Sequence, residues 1–428
     1  MAKVFYNFPN YNTRPGVAPA GEITITERTP EEAQKVVNKF IRENWRKIAR
    51  EPHGELQYPY LVPGATYNDL WDWDSFFTAC ILPEEGLEYA CGSCKNLIDA
   101  PLKDGRPTKK ATVEGEYDYF LHPYPLRSQF AALMYERGCI DKNWLAAYWE
   151  ILTRSLRWYE DKCQDKEGFF LWQTYSGIDN DPSVYGRTPG TIAGTDLACF
   201  MYREYCAMSK LARLTGADDT YAEKAEKQKT FIQTQYFDSI DRRFYAVDRA
   251  IDRIPSGRQY ITWNTYLRFD SSSNLYPLWA KAATSEQAEL LRNMIMDEKQ
   301  FLSPAGIRSH SRADEQIYNN EMMGGPSNWQ GPVWGLSTVL NVYGLLSYGF
   351  KEDAKNVAAR LLKTFAADIE QNGCLHECYN GDTGQPVIKP GFLSWNLMAF
   401  DLLKNIRENI VPTDFQTSVS DKGSGVLC

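Results

Sequence analysis

Apolar residues recurring at three- and four-residue spacing run through most of this chain, and no other feature constrains its fold as much. Ala33, Val36, Val37, Phe40, Ile41, Trp45 and Ile48 share one helix face, and Ala354, Val357, Ala358, Leu361, Leu362, Phe365 and Ile369 share another. Thr29-Pro30-Glu31-Glu32 supplies a cap residue, a first-turn proline and an acid three positions on. Thr284 and Gln287 offer the same reciprocal cap ahead of Leu290, Leu291, Met294 and Ile295. The pattern predicts helices at roughly 31–49, 70–82, 85–99, 124–137, 142–163, 194–215, 218–236, 272–283, 285–297, 331–348, 351–370 and 393–408. Only Phe244-Tyr245-Ala246-Val247 and its surroundings read as a hairpin. No βαβ rhythm appears, which disfavours a doubly wound sheet or a TIM barrel.

Helices in sequential pairs point to an all-α (α/α)6 toroid, six hairpins closed into a ring, with long loops and a minor β-hairpin. An open solenoid is the competing arrangement, but no repeat period marks one. In a toroid the loops at one end form a funnel. The longest polar loops, 51–69, 101–122, 164–193, 298–330 and 371–392, are therefore where chemistry is expected. The expected organisation is an N-terminal extension over 1–28, a catalytic domain over 29–411 and a flexible tail over 412–428.

Charge and composition exclude several functions. The net charge is -8, with both signs mixed, which argues against a nucleic-acid groove or a polybasic membrane surface. No apolar run is long enough to span a bilayer. The 10 cysteines are scattered and the N-terminus has no apolar run of signal-peptide length, so reduced thiols and a cytoplasmic location are expected. Cys91-Gly92-Ser93-Cys94 has redox spacing but no second cysteine pair. The 4 histidines lack HExxH or His-Cys spacing, and neither a Gly-x-Ser-x-Gly elbow nor a phosphate-binding glycine loop is present. No metal and no organic cofactor is expected.

The remaining candidates are carboxylates in aromatic surroundings. Tyr175-Ser176-Gly177-Ile178-Asp179-Asn180-Asp181-Pro182-Ser183 and His376-Glu377-Cys378-Tyr379-Asn380 each set an acid in a polar, turn-forming segment. Two such carboxylates brought together can cleave a glycosidic bond, one as acid on the leaving oxygen and one as base on water. Trp71 and Trp73 alternate with Asp72 and Asp74, and Asn328-Trp329-Gln330-Gly331-Pro332-Val333-Trp334 opens another helix. Helix capping with buried rings would explain both segments. A sugar site would explain them too, because a pyranose face stacks on a ring while its hydroxyls bond carboxylates and amides.

Together these motifs resemble glycoside hydrolase family 63 and the related clan that includes the trehalases, closest to the mannosylglycerate and glucosylglycerate hydrolases. The resemblance spans roughly 55–405, through Tyr58-Pro59-Tyr60, Pro63-Gly64, Trp71-Asp72-Trp73-Asp74-Ser75, Ser176-Gly177-Ile178-Asp179-Asn180, Trp329-Gln330-Gly331-Pro332-Val333-Trp334, Glu377-x-Tyr379 with Thr383-Gly384, and Phe392-Leu393-Ser394-Trp395. It implies the toroid and inverting cleavage of an α-glucoside or α-mannoside. It places the general acid on Asp179, the general base on Glu377, and sugar contacts on Tyr67, Trp73, Asp74, Asn180, Trp329, Trp334 and Trp395, while the Gln330 amide, which can both donate and accept, is a candidate contact from its own chemistry. Two positions depart from the family pattern. Gln330 stands where relatives commonly carry arginine, and His122-Pro123-Tyr124-Pro125 stands in place of Gln-Pro-Pro.

An inverting pair would lie about 6.5–9.5 Å apart, leaving room for water. The acid must hold its proton near neutral pH, so burial against Tyr175 and nearby rings should raise the pKa of Asp179. Tyr379 or the Asn180 amide would orient the pair. A sugar epimerase using His376, or a non-catalytic carbohydrate-binding protein on the same toroid, are the alternatives. The partner in every case is a small carbohydrate.

Overall fold

The computed structural model describes residues 21–25, 27–64, 67–174, 176–249, 265–321 and 327–415. Within these, helices alternate between an outer and an inner ring. The outer ring comprises α1 (Pro30–Asn44), α3 (Leu87–Asp99), α5 (Lys142–Lys162), α7 (Tyr221–Gln235), α9 (Ser285–Met296) and α11 (Lys351–Asn372). The inner ring comprises α2 (Asp72–Ile81), α4 (Arg127–Glu136), α6 (Thr195–Thr215), α8 (Tyr276–Trp279), α10 (Gly335–Ser347) and the 3₁₀ turn Ser394–Ala399, which leads into α12 (Leu402–Glu408).

Burial follows this division. Every residue of α2 from Asp72 to Cys80 is buried, as is every residue of α10 from Gly335 to Leu346. A helix enclosed on all sides is apolar or satisfied all round. By contrast α1 buries only Ala33, Gln34, Val37 and Ile41, a single stripe. Around the inner ring α4 packs on α6, α6 on α8, α8 on α10 and α10 on the 394–399 turn. That turn packs on α2, and Phe76 of α2 meets Phe130 of α4 with ring centroids 5.7 Å apart, closing the circle, so the chain is an (α/α)6 toroid.

Local sequence explains most helix starts. Thr29 accepts from the Glu32 N–H at 3.2 Å while the Glu32 carboxylate accepts from the Thr29 N–H at 2.9 Å. Thr284 and Gln287 make the same reciprocal pair. Both boxes satisfy amides that the helix itself leaves open.

Strands are more numerous than the single expected hairpin, but each has only two or three residues. Phe237–Asp238 pairs with Arg243–Phe244. A four-stranded antiparallel sheet runs Thr265–Leu267, Ala246–Asp248, Ile192–Ala193, Leu171–Trp172. A three-stranded sheet runs Val333–Trp334, Cys378–Tyr379, Pro386–Ile388. Both sit among the loops at the N-terminal ends of the inner helices. Those ends carry unpaired N–H groups and partial positive charge.

The chain continues to pack beyond 411. Thr413 is buried and accepts from Trp279 Nε1 at 3.0 Å, and Asp414 pairs with Arg203 at 3.2 Å. The expected loose tail therefore does not begin at 412, and its residues 416–428 lie outside those described. Most of the expected N-terminal extension, 1–20, also lies outside them. Among the described residues no helix is long and apolar enough to cross a membrane.

Candidate active site

Asp179 sits on the loop after the Leu171–Trp172 strand, and its neighbours fix that loop in place. A Cβ on Gly177 would fall 2.8 Å from both Trp73 Cζ2 and Tyr124 Cε2, so only glycine lets the backbone lie against these rings. The two rings are themselves stacked, 4.8 Å apart and 13° from parallel. Asn180 ties the loop to the 327–334 segment. Its Oδ1 accepts from Trp329 N–H at 2.6 Å, its Nδ2 donates to Asn328 Oδ1 at 3.0 Å, and its carbonyl accepts from Gln330 Nε2 at 2.9 Å. Asp181 accepts from the Ser271 and Ser273 hydroxyls at 2.7 and 2.8 Å.

Among the described residues Asp179 accepts one side-chain bond, from Ser327 Oγ at 2.6 Å. Burial raises its pKa, while the Ser327 hydroxyl and the charges of Lys109 and Lys389 pull it back. Tyr175, expected to help, lies outside the described residues.

Glu377 enters from the three-stranded sheet. Trp334 pairs with Cys378, and the Glu377 N–H donates to Ile388 O at 3.0 Å. Lys389 follows directly on the last strand, so this register brings its ammonium to Glu377. Nζ donates to Oε1 at 3.2 Å and lies 3.0 Å from Oε2. Oε2 is buried and takes no directed hydrogen bond from another described residue, which leaves a lone pair for a ligand or water. Burial raises the Glu377 pKa, Lys389 lowers it, and the charge of Asp179 raises it. The charge of Asp179 thus reaches Glu377, and that of Lys389 reaches both acids.

Aromatic rings line that site. The Trp73 centroid lies 5.1 Å from Trp395 and 6.1 Å from Trp329. Trp329 and Trp334 stack 3.9 Å apart and 4° from parallel, and Trp334 Nε1 donates to Asn328 O at 2.9 Å. Asp74 accepts from Ser394 Oγ at 2.9 Å, and burial pushes its pKa up to about 7. Its neighbour Asp72 is a local brace, accepting from the Trp73 and Tyr124 N–H groups at 2.7 and 2.9 Å. Tyr67, pushed up to about 12 by burial and the charge of Glu377, lies with its ring 5.5 Å from Lys389 Nζ. All ten residues singled out in the sequence, Tyr67, Trp73, Asp74, Asp179, Asn180, Trp329, Gln330, Trp334, Glu377 and Trp395, fall at this end of the toroid.

Sequence reasoning missed two lysines. Lys389 and Lys109 lie in flagged polar loops, where a lysine reads as a solvated surface residue. Lys109 is instead buried, with Nζ 4.7 Å from the Tyr124 centroid, donating to His122 O at 3.2 Å. The serines that hold the acids, Ser327 and Ser394, carried no signal either, because their partners are distant in sequence.

Other expectations resolve as supports. His122 is fully buried, with Nδ1 accepting from Gln173 N–H at 2.8 Å and its ring edge against Trp172. Burial holds its pKa well below the usual value, so it is neutral. The Tyr379 hydroxyl donates to Asp368 at 2.7 Å, away from the acid pair, and His376 Nδ1 bonds the same carboxylate at 2.8 Å. Tyr379 therefore touches neither acid, whereas Asn180 braces the loop that carries Asp179 and Lys389 contacts Glu377. A cavity of about 540 Å³ opens at the opposite end, lined by Cys80, Arg137, Asp401 and Asp414, remote from both acids.

Comparison with known proteins agrees with this fold. Residues 67–395 match a family model described as the mannosylglycerate hydrolase MGH1-like glycoside hydrolase domain. The fold is similar to the mannosylglycerate hydrolase of glycoside hydrolase family 63 from Thermus thermophilus in complex with glucose. That likeness has a TM-score of 0.64 and 18% identity, and covers 88% of this chain and 100% of that one. The same enzyme with Tris and D-glycerate gives a TM-score of 0.62 at 17% identity, covering 87% and 100%. Neutral trehalase Nth1 from Saccharomyces cerevisiae gives 0.60 at 17% identity, covering 85% of this chain and 77% of that one.

Proposed function

The chain belongs to the MGH1-like glycoside hydrolase family, and from that premise we propose that it is an inverting α-glycosidase with Asp179 as general acid and Glu377 as general base. What supports this reading is a pair of buried carboxyl groups, from loops far apart in sequence, with the charge of Asp179 felt at Glu377 and the Asp179 loop packed on the Trp73 ring, which Trp329 and Trp395 flank. Asp179, protonated, gives its proton to the glycosidic oxygen as the bond to the anomeric carbon breaks. Glu377, ionised, takes a proton from water that attacks that carbon from the opposite face. The sugar leaves with inverted configuration and the aglycone leaves as an alcohol.

Burial around Asp179 favours the protonated acid that this step needs. The Lys389 ammonium, 3.0 Å from Glu377 Oε2, favours the ionised carboxylate that a base needs. Trp73, Trp329 and Trp395 would take the apolar face of the sugar, with Asp74 and Tyr67 bonding its hydroxyls. The substrate proposed is a small α-glucoside or α-mannoside, with a glycerate glycoside or a short α-linked oligosaccharide foremost. The related Thermus enzyme is a mannosylglycerate hydrolase, and the yeast relative a trehalase. All nine cysteines among the described residues are free thiols, in keeping with a cytoplasmic location.

An epimerase would draw on His376 as acid and base at carbon. Burial alone would lower its pKa, but the Asp368 bond raises it to about 9, leaving a cation committed to its partner. The test is sugar release from mannosylglycerate, glucosylglycerate, trehalose and kojibiose by the purified protein. Release from one of them, lost in Asp179→Asn and in Glu377→Ala, supports the reading. Conversion without release of a second fragment would overturn it.

A further inference from the structure

Single displacement needs the two acids in opposite states, one protonated and one ionised. Burial treats them alike, since it disfavours the charge on each. The charge of Lys389 reaches both, and what separates them is the polar contact each makes, since Lys389 touches Glu377 alone. Asp179 has a neutral hydroxyl, Ser327 Oγ, at 2.6 Å. Glu377 has an ammonium within 3.2 Å of both its oxygens. Lys389 is held there by the chain itself. It follows directly on the strand that pairs with Cys378–Tyr379, adopts a left-handed φ of 50°, and is followed by Pro390. Its ammonium rests near the Tyr67 ring on one side and the Glu377 carboxylate on the other.

We propose that Lys389 is a positioning residue that sets the proton order of the site, keeping Glu377 ionised while Asp179 keeps its proton. This rests on the assignment of Asp179 as acid and Glu377 as base. The other titratable groups facing Glu377 do not supply that bias. Asp74 on α2 and Asp179 on its loop oppose a charge on Glu377. The Tyr67 phenol and the Cys378 thiol are neutral. His376, one residue away, is paired with Asp368. Lys109 acts on Asp179 and Asp74 and is not in contact with Glu377.

Lys389→Met removes the charge and keeps most of the stem. It adds little backbone strain, because lysine and methionine are equally disfavoured at positive φ. Lys389→Arg keeps the charge, and Lys389→Gln is a second neutral variant should methionine impair folding. The measurement is a side-chain ¹³C carboxyl titration of the whole protein, with Glu377 and Asp179 assigned from Glu377→Gln and Asp179→Asn. In the unaltered protein Glu377 should ionise at lower pH than Asp179. In the neutral variants its midpoint should rise by about 1–3 units, the usual effect of losing an adjacent opposite charge. Lys389→Arg should recover most of that shift. An unmoved Glu377 midpoint, or Asp179 ionising first in the unaltered protein, would overturn the proposal. The titration needs no substrate, so it reads out even if the protein cleaves none of the glycosides tested, a result that would count against the function assignment alone.

Discussion

Removing the Ser327 hydroxyl should extend activity to higher pH. Ser327 Oγ donates to Asp179 Oδ2 at 2.6 Å, a bond that stabilises the ionised carboxylate. A hydrogen bond to a charged group is worth about 1.5–3 kcal/mol. At 1.36 kcal/mol per unit, Ser327→Ala should raise the Asp179 pKa by about 1–2 units. The sign follows from its role. An acid works only while protonated, so kcat/KM falls as pH rises through its pKa, and raising that pKa moves the alkaline limb upward by the same amount. The assay is kcat/KM against pH for the unaltered protein, Ser327→Ala and Ser327→Thr, the last keeping a hydroxyl. An alkaline limb that stays put in Ser327→Ala, or an acid limb that moves in its place, would refute the reasoning.

Asp179→Asn and Glu377→Ala should each lower kcat by about 10²–10⁴, the span of one general acid–base contribution, with the fold intact by circular dichroism. Gly177→Ala forces a methyl to 2.8 Å from Trp73 and Tyr124. It should cost about 1–3 kcal/mol in urea unfolding and raise KM, because the loop carrying Asp179 must lift off the rings. The His376–Asp368 pair should make stability depend on pH. A histidine raised to about 9 when folded contributes fully below its unfolded value of about 6.5 and loses that contribution as pH climbs through 9. The loss should approach about 1.4 kcal/mol per pH unit across that window and be absent in His376→Gln.

What could be read from sequence was what local physics decides. The stripes of α1 and α11 and the boxes at Thr29 and Thr284 depend on residues within a turn or two of one another. Helix starts slipped where distant pairing intervened. Helices expected from 70 and 331 begin at 72 and 335, because Leu70–Trp71 and Val333–Trp334 are drawn into strands with Lys110–Ala111 and Cys378–Tyr379. Strands of two residues are too short for alternation to show. The helix expected over 393–408 is broken by Asp401, left-handed at φ 52°. In the site, the acids and tryptophans were visible because aspartate and glutamate beside rings are unusual company. Lys389, Lys109 and Ser327 were not, since each is defined by a partner that only the folded chain brings near.

The most direct test of inversion through Asp179 and Glu377 is the anomeric ¹H NMR signal of the sugar first released from a cleaved α-glycoside, followed before mutarotation. The account predicts the β-anomer first, with the α-anomer appearing only as it equilibrates. The α-anomer first would mean retention, and Glu377 would then be a nucleophile rather than a base.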